Sequence, residues 1–145
     1  MDYYTDTSND FDQGARPFVT NLRQDTINNN YFITTRWTCR NMQLILMSVP
    51  INSDVGANVH QASDQFLYIE QGSALVVMGT CMDCLSYQAR VTDNYAIIVP
   101  AGIWHNIINT GTIDLKMFSI YAPSMYSHGS IYPTKEDADL YQFRQ

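Results

Sequence analysis

The spacing of short β-branched and aromatic runs is the feature that most constrains how this chain can fold. Turn residues separate eight such runs, which cover residues 31–38, 42–49, 66–70, 74–78, 87–91, 95–99, 104–109 and 115–121. Strand-like runs that recur about every 8–12 residues are typical of an antiparallel sandwich or barrel. The run Met42–Val49 is almost continuously apolar, which predicts a strand buried on both faces. The sequence therefore predicts an all-β domain built from antiparallel strands.

The two ends of the chain depart from this pattern. Residues 1–15 are polar and acidic, which predicts a poorly ordered N-terminal arm, with order beginning near Pro17. Near the C-terminus, Thr134 is a good N-cap and is followed by Glu136 and Asp137 in the first turn. We therefore expect residues 16–145 to form one domain that ends in a short helix.

Charge limits the partners that such a domain would take. Charged residues make up only 15% of the chain, and fourteen acids against eight cations give a net charge of −6. An acidic chain is a poor partner for nucleic acid or an anionic membrane. No apolar run approaches the ~20 residues of a membrane helix, and the acidic N-terminus does not resemble a signal peptide. We expect a cytoplasmic protein whose partners include neither nucleic acid nor membrane.

The three cysteines are Cys39, Cys81 and Cys84, too few for a closed disulfide framework. Cys81 and Cys84 form a CxxC pair. A zinc site would need two further ligands at suitable spacing, and a thioredoxin-like site would need the pair to open a helix after a strand. Because the pair lies between two strand-like runs, the sequence predicts an inert loop pair, with a redox or metal role as the alternative.

One stretch of the chain resembles a sequence motif of the small cupins. Residues 100–109, PAGIWHNIIN, match the second cupin motif, P-x-G-x-x-H-x-x-x-N, at every fixed position. The glycine that usually opens this motif is replaced by Asn94, which tolerates left-handed backbone geometry. The resemblance extends over residues 17–137. It implies a single jelly-roll barrel, the antiparallel double-stranded β-helix of this family.

A second stretch, residues 56–72, resembles the first cupin motif less completely. That motif is H-x-H, three or four residues, Glu, six residues and Gly. Anchoring it on Gly72 puts Gln65 at the Glu position, His60 at the second His and Asn58 at the first. The segment 59–72 is also similar to a subset of small bacterial cupins with the pattern V-H-x-x-x-D-Q-F-x-x-I-E-x-G.

Side-chain alternation supports the same location for a site. Asn58 and His60 are two residues apart on a predicted strand and would share a face, while Gln65 and His105 would point inward from two other strands. The apolar residues expected to wall the cup more deeply are Leu67, Ile69 and Ile107. A few convergent polar groups above an apolar wall are typical of a ligand site.

The resemblance implies a divalent metal at this place, because metal-containing cupins bind iron, manganese, nickel or zinc through three histidines and one glutamate. The corresponding set here is Asn58, His60, Gln65 and His105. The imidazoles are good ligands, whereas the amide oxygens are weak and neutral and the set lacks a carboxylate. The alternative is that His60 and His105 are internal histidines hydrogen-bonded to Gln65, Asn58 or water.

Three functions are compatible with these residues. The first is a metal-dependent isomerase, epimerase or dioxygenase that acts on a small organic molecule, either a sugar derivative or an oxidisable metabolite. The second is a non-catalytic module that binds a metal or a small ligand, which the missing carboxylate favours. The third is a structural barrel with a degenerate site. The apolar strand 42–49 and the many aromatic residues also suit a homodimer.

Overall fold

The structure, a computed structural model, describes residues 11–143 of the 145-residue chain. These residues form nine strands and two helices. The strands are β1 (Ile33–Thr38), β2 (Gln43–Val49), β3 (Asp64–Gln71), β4 (Ala74–Gly79), β5 (Tyr87–Val91), β6 (Ala96–Val99), β7 (Trp104–Asn109), β8 (Leu115–Ala122) and β9 (Ile131–Tyr132). The helices are α1 (Leu22–Asn28) and α2 (Lys135–Phe143). Neither helix in this part of the chain is long and apolar enough to cross a membrane.

The strands form two antiparallel sheets that contribute to one hydrophobic core. The larger sheet has the order β6-β3-β8-β2-β1-β9 and the smaller has the order β5-β4-β7. Alternate residues face the core, so that Met47 pairs with Met117 and Val49 pairs with Leu115, all of them buried. The predicted all-β jelly roll with a short C-terminal helix is confirmed, and each predicted strand begins and ends within two residues of the observed one.

Helix α1 was not predicted, because residues 22–28 lack an apolar stripe. Its ends are fixed by polar contacts instead. The side chain of Asn21 caps the first turn by accepting a hydrogen bond from the Gln24 N–H at 3.0 Å. At the other end, the buried Lys116 ammonium donates to the Asn29 carbonyl and to Asn30 Oδ1. A cation at a helix C-terminus is stabilising, because it lies beside the unpaired carbonyls.

Helix α2 begins where the sequence predicts. Thr134 Oγ1 accepts a hydrogen bond from the Asp137 N–H at 3.3 Å, and the Thr134 N–H donates to Asp137 Oδ2 at 3.1 Å. This reciprocal arrangement is a capping box with aspartate in the role of the usual glutamate. An ion pair between Lys135 and Asp54 also fixes the start of the helix.

Defined contacts begin earlier in the chain than Pro17. Asp12 is buried and accepts hydrogen bonds from Thr38 Oγ1 at 2.6 Å and from the Gly129 N–H at 3.0 Å. Residues 1–10 of the predicted arm lie outside the described residues. His128 lies in the polar stretch after β8, yet its side chain is only 9% exposed and its Nε2 lies 3.4 Å from Asp12 Oδ1.

The loop between β4 and β5 contains a disulfide bond between Cys81 and Cys84. The sequence predicted an inert loop pair at this place, and this local bond was not predicted. Cys39 is a free cysteine.

Candidate functional site

Three of the four predicted site residues come together in the interior of the fold, where all three are buried. Gln65 lies near the start of β3 and His105 lies on β7, while His60 lies in the loop before β3. The His60 carbonyl accepts a hydrogen bond from the Gly102 N–H at 2.9 Å, which holds the loop beside the turn of the second motif. The strand expected to hold Asn58 and His60 is not formed. Only a single bridge joins Asn58 to His105.

The two histidines are buried side by side. His60 is 8% exposed and His105 is 4% exposed, and their ring centroids are 5.2 Å apart. Burial, together with the smaller effect of the neighbouring His105, lowers the pKa of His60 to about 4. Burial also lowers the pKa of His105, against an opposing effect of its hydrogen bond to the Ile103 carbonyl. Both imidazoles are therefore neutral at neutral pH, which is the form that binds metal ions.

The hydrogen bonds of the two rings differ. His105 Nδ1 lies 3.4 Å from the Ile103 carbonyl oxygen. When Nδ1 donates to this carbonyl, the lone pair is on Nε2, as in many metal-binding histidines. His60 Nδ1 is buried, and within residues 11–143 it has no hydrogen-bond partner.

Gln65 supplies a buried side-chain amide oxygen to the same site. Its Nε2 donates to Ser119 Oγ at 2.9 Å, which fixes the orientation of the amide. Its Oε1 is buried and has no hydrogen-bond partner among the described residues. An unpaired buried acceptor is destabilising and usually indicates a water molecule or an ion that completes its hydrogen bonding.

Asn58 is placed differently from the other three. It is half-buried and borders the cavity, but its Oδ1 accepts a hydrogen bond from the Val59 N–H at 2.8 Å. Its backbone exchanges two hydrogen bonds of 2.9 Å with His105. The structure therefore gives Asn58 a positioning role for His105, through its backbone.

Tyr121 belongs to the site and was missed by the sequence reasoning. Its side chain is buried, and its ring meets His60 edge to face at a centroid distance of 5.1 Å. Burial raises the pKa of the Tyr121 phenol well above its usual value, and the neighbouring Tyr126 raises it further. Tyr121 is paired across the sheet with Gln65, and this strand register brings it into the site. The register cannot be determined from the sequence alone.

These residues enclose a cavity of about 30 Å³, which is water-sized. Its polar lining consists of Asn58, His60, Gln65, His105, Tyr121, Tyr126 and Asp139. Asp139 comes from α2 and is exposed, at the edge of the cavity. Within residues 11–143, no group of three His, Cys, Asp or Glu side chains is close enough to hold a metal ion. The strong ligands of the site are the two imidazoles.

Two further positions of the second motif, Asn109 and Asn94, have a structural role. Asn109 Nδ2 donates to the carbonyls of Val49, Pro50 and Ile113, and its Oδ1 accepts from the Gly111 N–H. Asn94, at the position of the family's glycine, has φ +71°. This left-handed conformation explains why the family usually has glycine there and why asparagine is accepted.

Comparison with known proteins agrees with this fold. Residues 45–121 match the family model of the cupin domain. The uncharacterised protein YrkC of Bacillus subtilis is 49% identical over 127 residues, covering 88% of this chain and 68% of YrkC. The uncharacterised protein L612 of Acanthamoeba polyphaga mimivirus is 35% identical over 115 residues, which is 79% of this chain and 70% of L612.

Among solved structures, BH2720 from Bacillus halodurans superposes on this chain with a TM-score of 0.89. The two are 45% identical, and the match covers 90% of this chain and 98% of BH2720. Motif, fold and relatives agree, and the chain belongs to the cupin family.

Proposed function

We propose that this cupin binds one divalent first-row transition metal ion through His60, His105 and the carbonyl oxygen of Gln65. One observation carries the proposal: two neutral imidazoles and an unpaired amide oxygen line the same water-sized cavity. Iron, manganese, nickel and zinc all accept imidazole nitrogen. The residues fit such an ion in donor type and in protonation state.

The chemistry of the donor set favours binding over catalysis. All three donors are neutral, so the protein does not offset the charge of a divalent ion. Two histidines without a carboxylate also fall short of the donor set used for oxygen activation. A bound ion would act as a Lewis acid toward a water or a small ligand. We therefore propose a metal-binding module as the function that the site supports best.

The alternative is catalysis by an isomerase, epimerase or dioxygenase acting on a sugar derivative or an oxidisable metabolite. The cavity of about 30 Å³ is too small for such a substrate in the present conformation. The feature that favours the alternative is α2, because Ala138 and Asp139 of this helix border the cavity. Movement of α2 would widen the cavity and leave the Asp139 carboxylate at its mouth.

The metal content of the protein separates these functions. The protein would be purified without added metal and measured by inductively coupled plasma mass spectrometry, alongside His60→Ala and His105→Ala. We expect close to one equivalent in the wild type and loss in both variants. The third histidine offers a matched control, since His128→Ala removes an imidazole outside the cavity and leaves the metal bound.

The outcomes are distinct. Less than about a tenth of an equivalent in the wild type, after incubation with excess metal, would contradict metal binding and leave a structural barrel. Metal retained without turnover of a panel of sugar derivatives and oxidisable metabolites supports the binding module. Turnover that is lost in His60→Ala and in Asp139→Asn would support the enzyme.

We also propose that the chain forms a homodimer through the outer face of the larger sheet. A row of paired apolar residues crosses five strands of this face: Ile98, Phe66, Ile120, Leu44 and Trp37. Ile98 is 65% exposed and the other four are half-buried. With strands about 4.8 Å apart, the row is about 20 Å wide, which is suitable for packing against a second copy. A monomer in sedimentation equilibrium at about 100 μM would contradict this proposal.

A further inference from the structure

The disulfide between Cys81 and Cys84 does not connect distant parts of the fold. The two cysteines are three residues apart, with Cα atoms 5.2 Å apart, and both lie in the connection between β4 and β5. A disulfide stabilises a fold mainly by closing a long loop of the unfolded chain, and this loop is very short. A role as a structural staple therefore explains little about this bond.

The two sulfur atoms of the bond have different surroundings. Cys81 is exposed, whereas Cys84 is half-buried. Cys84 Sγ lies 3.5 Å from the Thr80 hydroxyl, which is able to donate a hydrogen bond to a thiolate. Access and the stability of the departing thiolate decide which sulfur of a disulfide is attacked. Access favours attack on Cys81, and the Thr80 hydroxyl favours departure of Cys84 against the opposing effect of the Cys81 carbonyl oxygen, 3.4 Å from Cys84 Sγ.

The backbone holds the cysteine loop firmly against β4. A Cβ atom built on Gly79 would lie 1.9 Å from the Cys84 carbonyl oxygen, so only glycine permits this close approach. The loop therefore packs against the end of β4. This packing leaves Cys81, and not Cys84, as the exposed half of the disulfide.

A groove of about 440 Å³ lies beside Cys84. Its walls include Thr80, Ser86, Tyr87, Ile98 and Ile103. Tyr87 of this groove is 61% exposed, and Met82 of the loop itself is 55% exposed. The loop that carries the disulfide is therefore accessible to molecules in solution.

We propose that Cys81–Cys84 is a thiol–disulfide exchange site for a low-molecular-weight thiol that reaches the exposed Cys81 from solvent. The thiolate of the external thiol attacks Cys81 Sγ, the bond between the two cysteines breaks, and Cys84 leaves as a thiolate that takes up a proton. A second external thiolate then attacks the mixed disulfide at the sulfur of the first thiol. This step releases the external disulfide and the Cys81 thiol, so two external thiols are oxidised as one protein disulfide is reduced.

The first test uses glutathione and the folded protein with Cys39→Ser, which leaves only the two loop cysteines. Ratios of reduced to oxidised glutathione would be set, thiols trapped by acid and alkylation, and the protein weighed by mass spectrometry. We expect reversible reduction and reoxidation without denaturant. A bond that resists about 10 mM glutathione in the folded protein, yet is reduced in urea, would overturn the proposal.

The second test separates the two sulfurs with single variants in the same background. Oxidised glutathione is expected to form a mixed disulfide with Cys81 in Cys84→Ser at least about tenfold faster than with Cys84 in Cys81→Ser. Equal rates would contradict the assigned direction of attack. Replacement of both cysteines by serine should leave the urea unfolding midpoint nearly unchanged. A large drop in that midpoint would identify the bond as a structural staple and overturn the exchange role.

Discussion

Acid should destabilise the metal-free protein through His60. Burial lowers the pKa of His60 in the folded state from 6.5 to about 4. Between these two values the unfolded chain binds a proton that the folded chain does not. The free energy of unfolding is therefore unaffected above pH 6.5, falls as the pH drops from 6.5 toward 4, and becomes level with respect to this group below pH 4. A pKa difference of this size corresponds to about 3 kcal/mol.

The variant His60→Asn isolates this contribution, because it keeps a neutral polar side chain and removes the titration. Urea unfolding of the metal-free protein would be followed by the fluorescence of Trp37 and Trp104, both half-buried. Between pH 7.5 and pH 4.5 the wild type should lose about 2.5 kcal/mol more than the variant. Groups that are remote from His60 titrate in both proteins and cancel in the comparison. One of them is Asp54, whose pKa is lowered, against the opposing effect of burial, by hydrogen bonds from Lys135 and Asn106.

The result that would refute this reasoning is a variant whose stability falls in parallel with the wild type, within about 0.5 kcal/mol. His60 would then be solvated or hydrogen-bonded when folded, and its unpaired Nδ1 would have a partner. In that case no ion or water is required at this nitrogen.

Three further substitutions test other parts of the account. Asn109→Ala leaves the buried Val49 carbonyl, the part-buried carbonyls of Pro50 and Ile113 and the Gly111 N–H without their partner. We therefore expect a loss of about 1–3 kcal/mol in urea unfolding, and a loss below about 0.5 kcal/mol would contradict its structural role. Gln65→Glu places a carboxylate beside two neutral imidazoles, so it should tighten metal binding at least about tenfold in chelator competition. The metal-free variant should lose stability, because the buried carboxylate then has no cation beside it. Unchanged metal affinity would mean that Gln65 is not a ligand. Lys135→Ala breaks the partly exposed ion pair with Asp54, which should cost about 0–1 kcal/mol but speed metal exchange with a chelator; an unchanged exchange rate would mean that α2 does not control access.

The first eight strands could be predicted because each of them carries a local signal. Runs of β-branched and aromatic residues bounded by turn residues define β1 through β8 without knowledge of their partners. The second motif also identified His105 correctly as a buried residue, and Asn94 as a left-handed turn. The short strand β9 has only two residues, too few for any periodic pattern.

The features that were missed depend on contacts between distant residues. Tyr121 enters the site because the register of β8 against β3 sets it opposite Gln65, and register is not visible in one strand. His128 is buried because Asp12, 116 positions earlier in the chain, packs against it. Helix α1 is stabilised at its C-terminus by Lys116, which lies on β8. None of these pairings leaves a pattern in the local sequence.

The most direct test of the central claim is a crystal structure of the metal-loaded protein with anomalous data collected at the absorption edge of the metal. The account predicts one anomalous peak in the cavity, about 2.0–2.2 Å from one nitrogen of His60 and one nitrogen of His105. The side-chain carbonyl oxygen of Gln65 should be the third protein ligand. A cavity that contains only water under these conditions, or a metal bound at Asp12 and His128 instead, would contradict it.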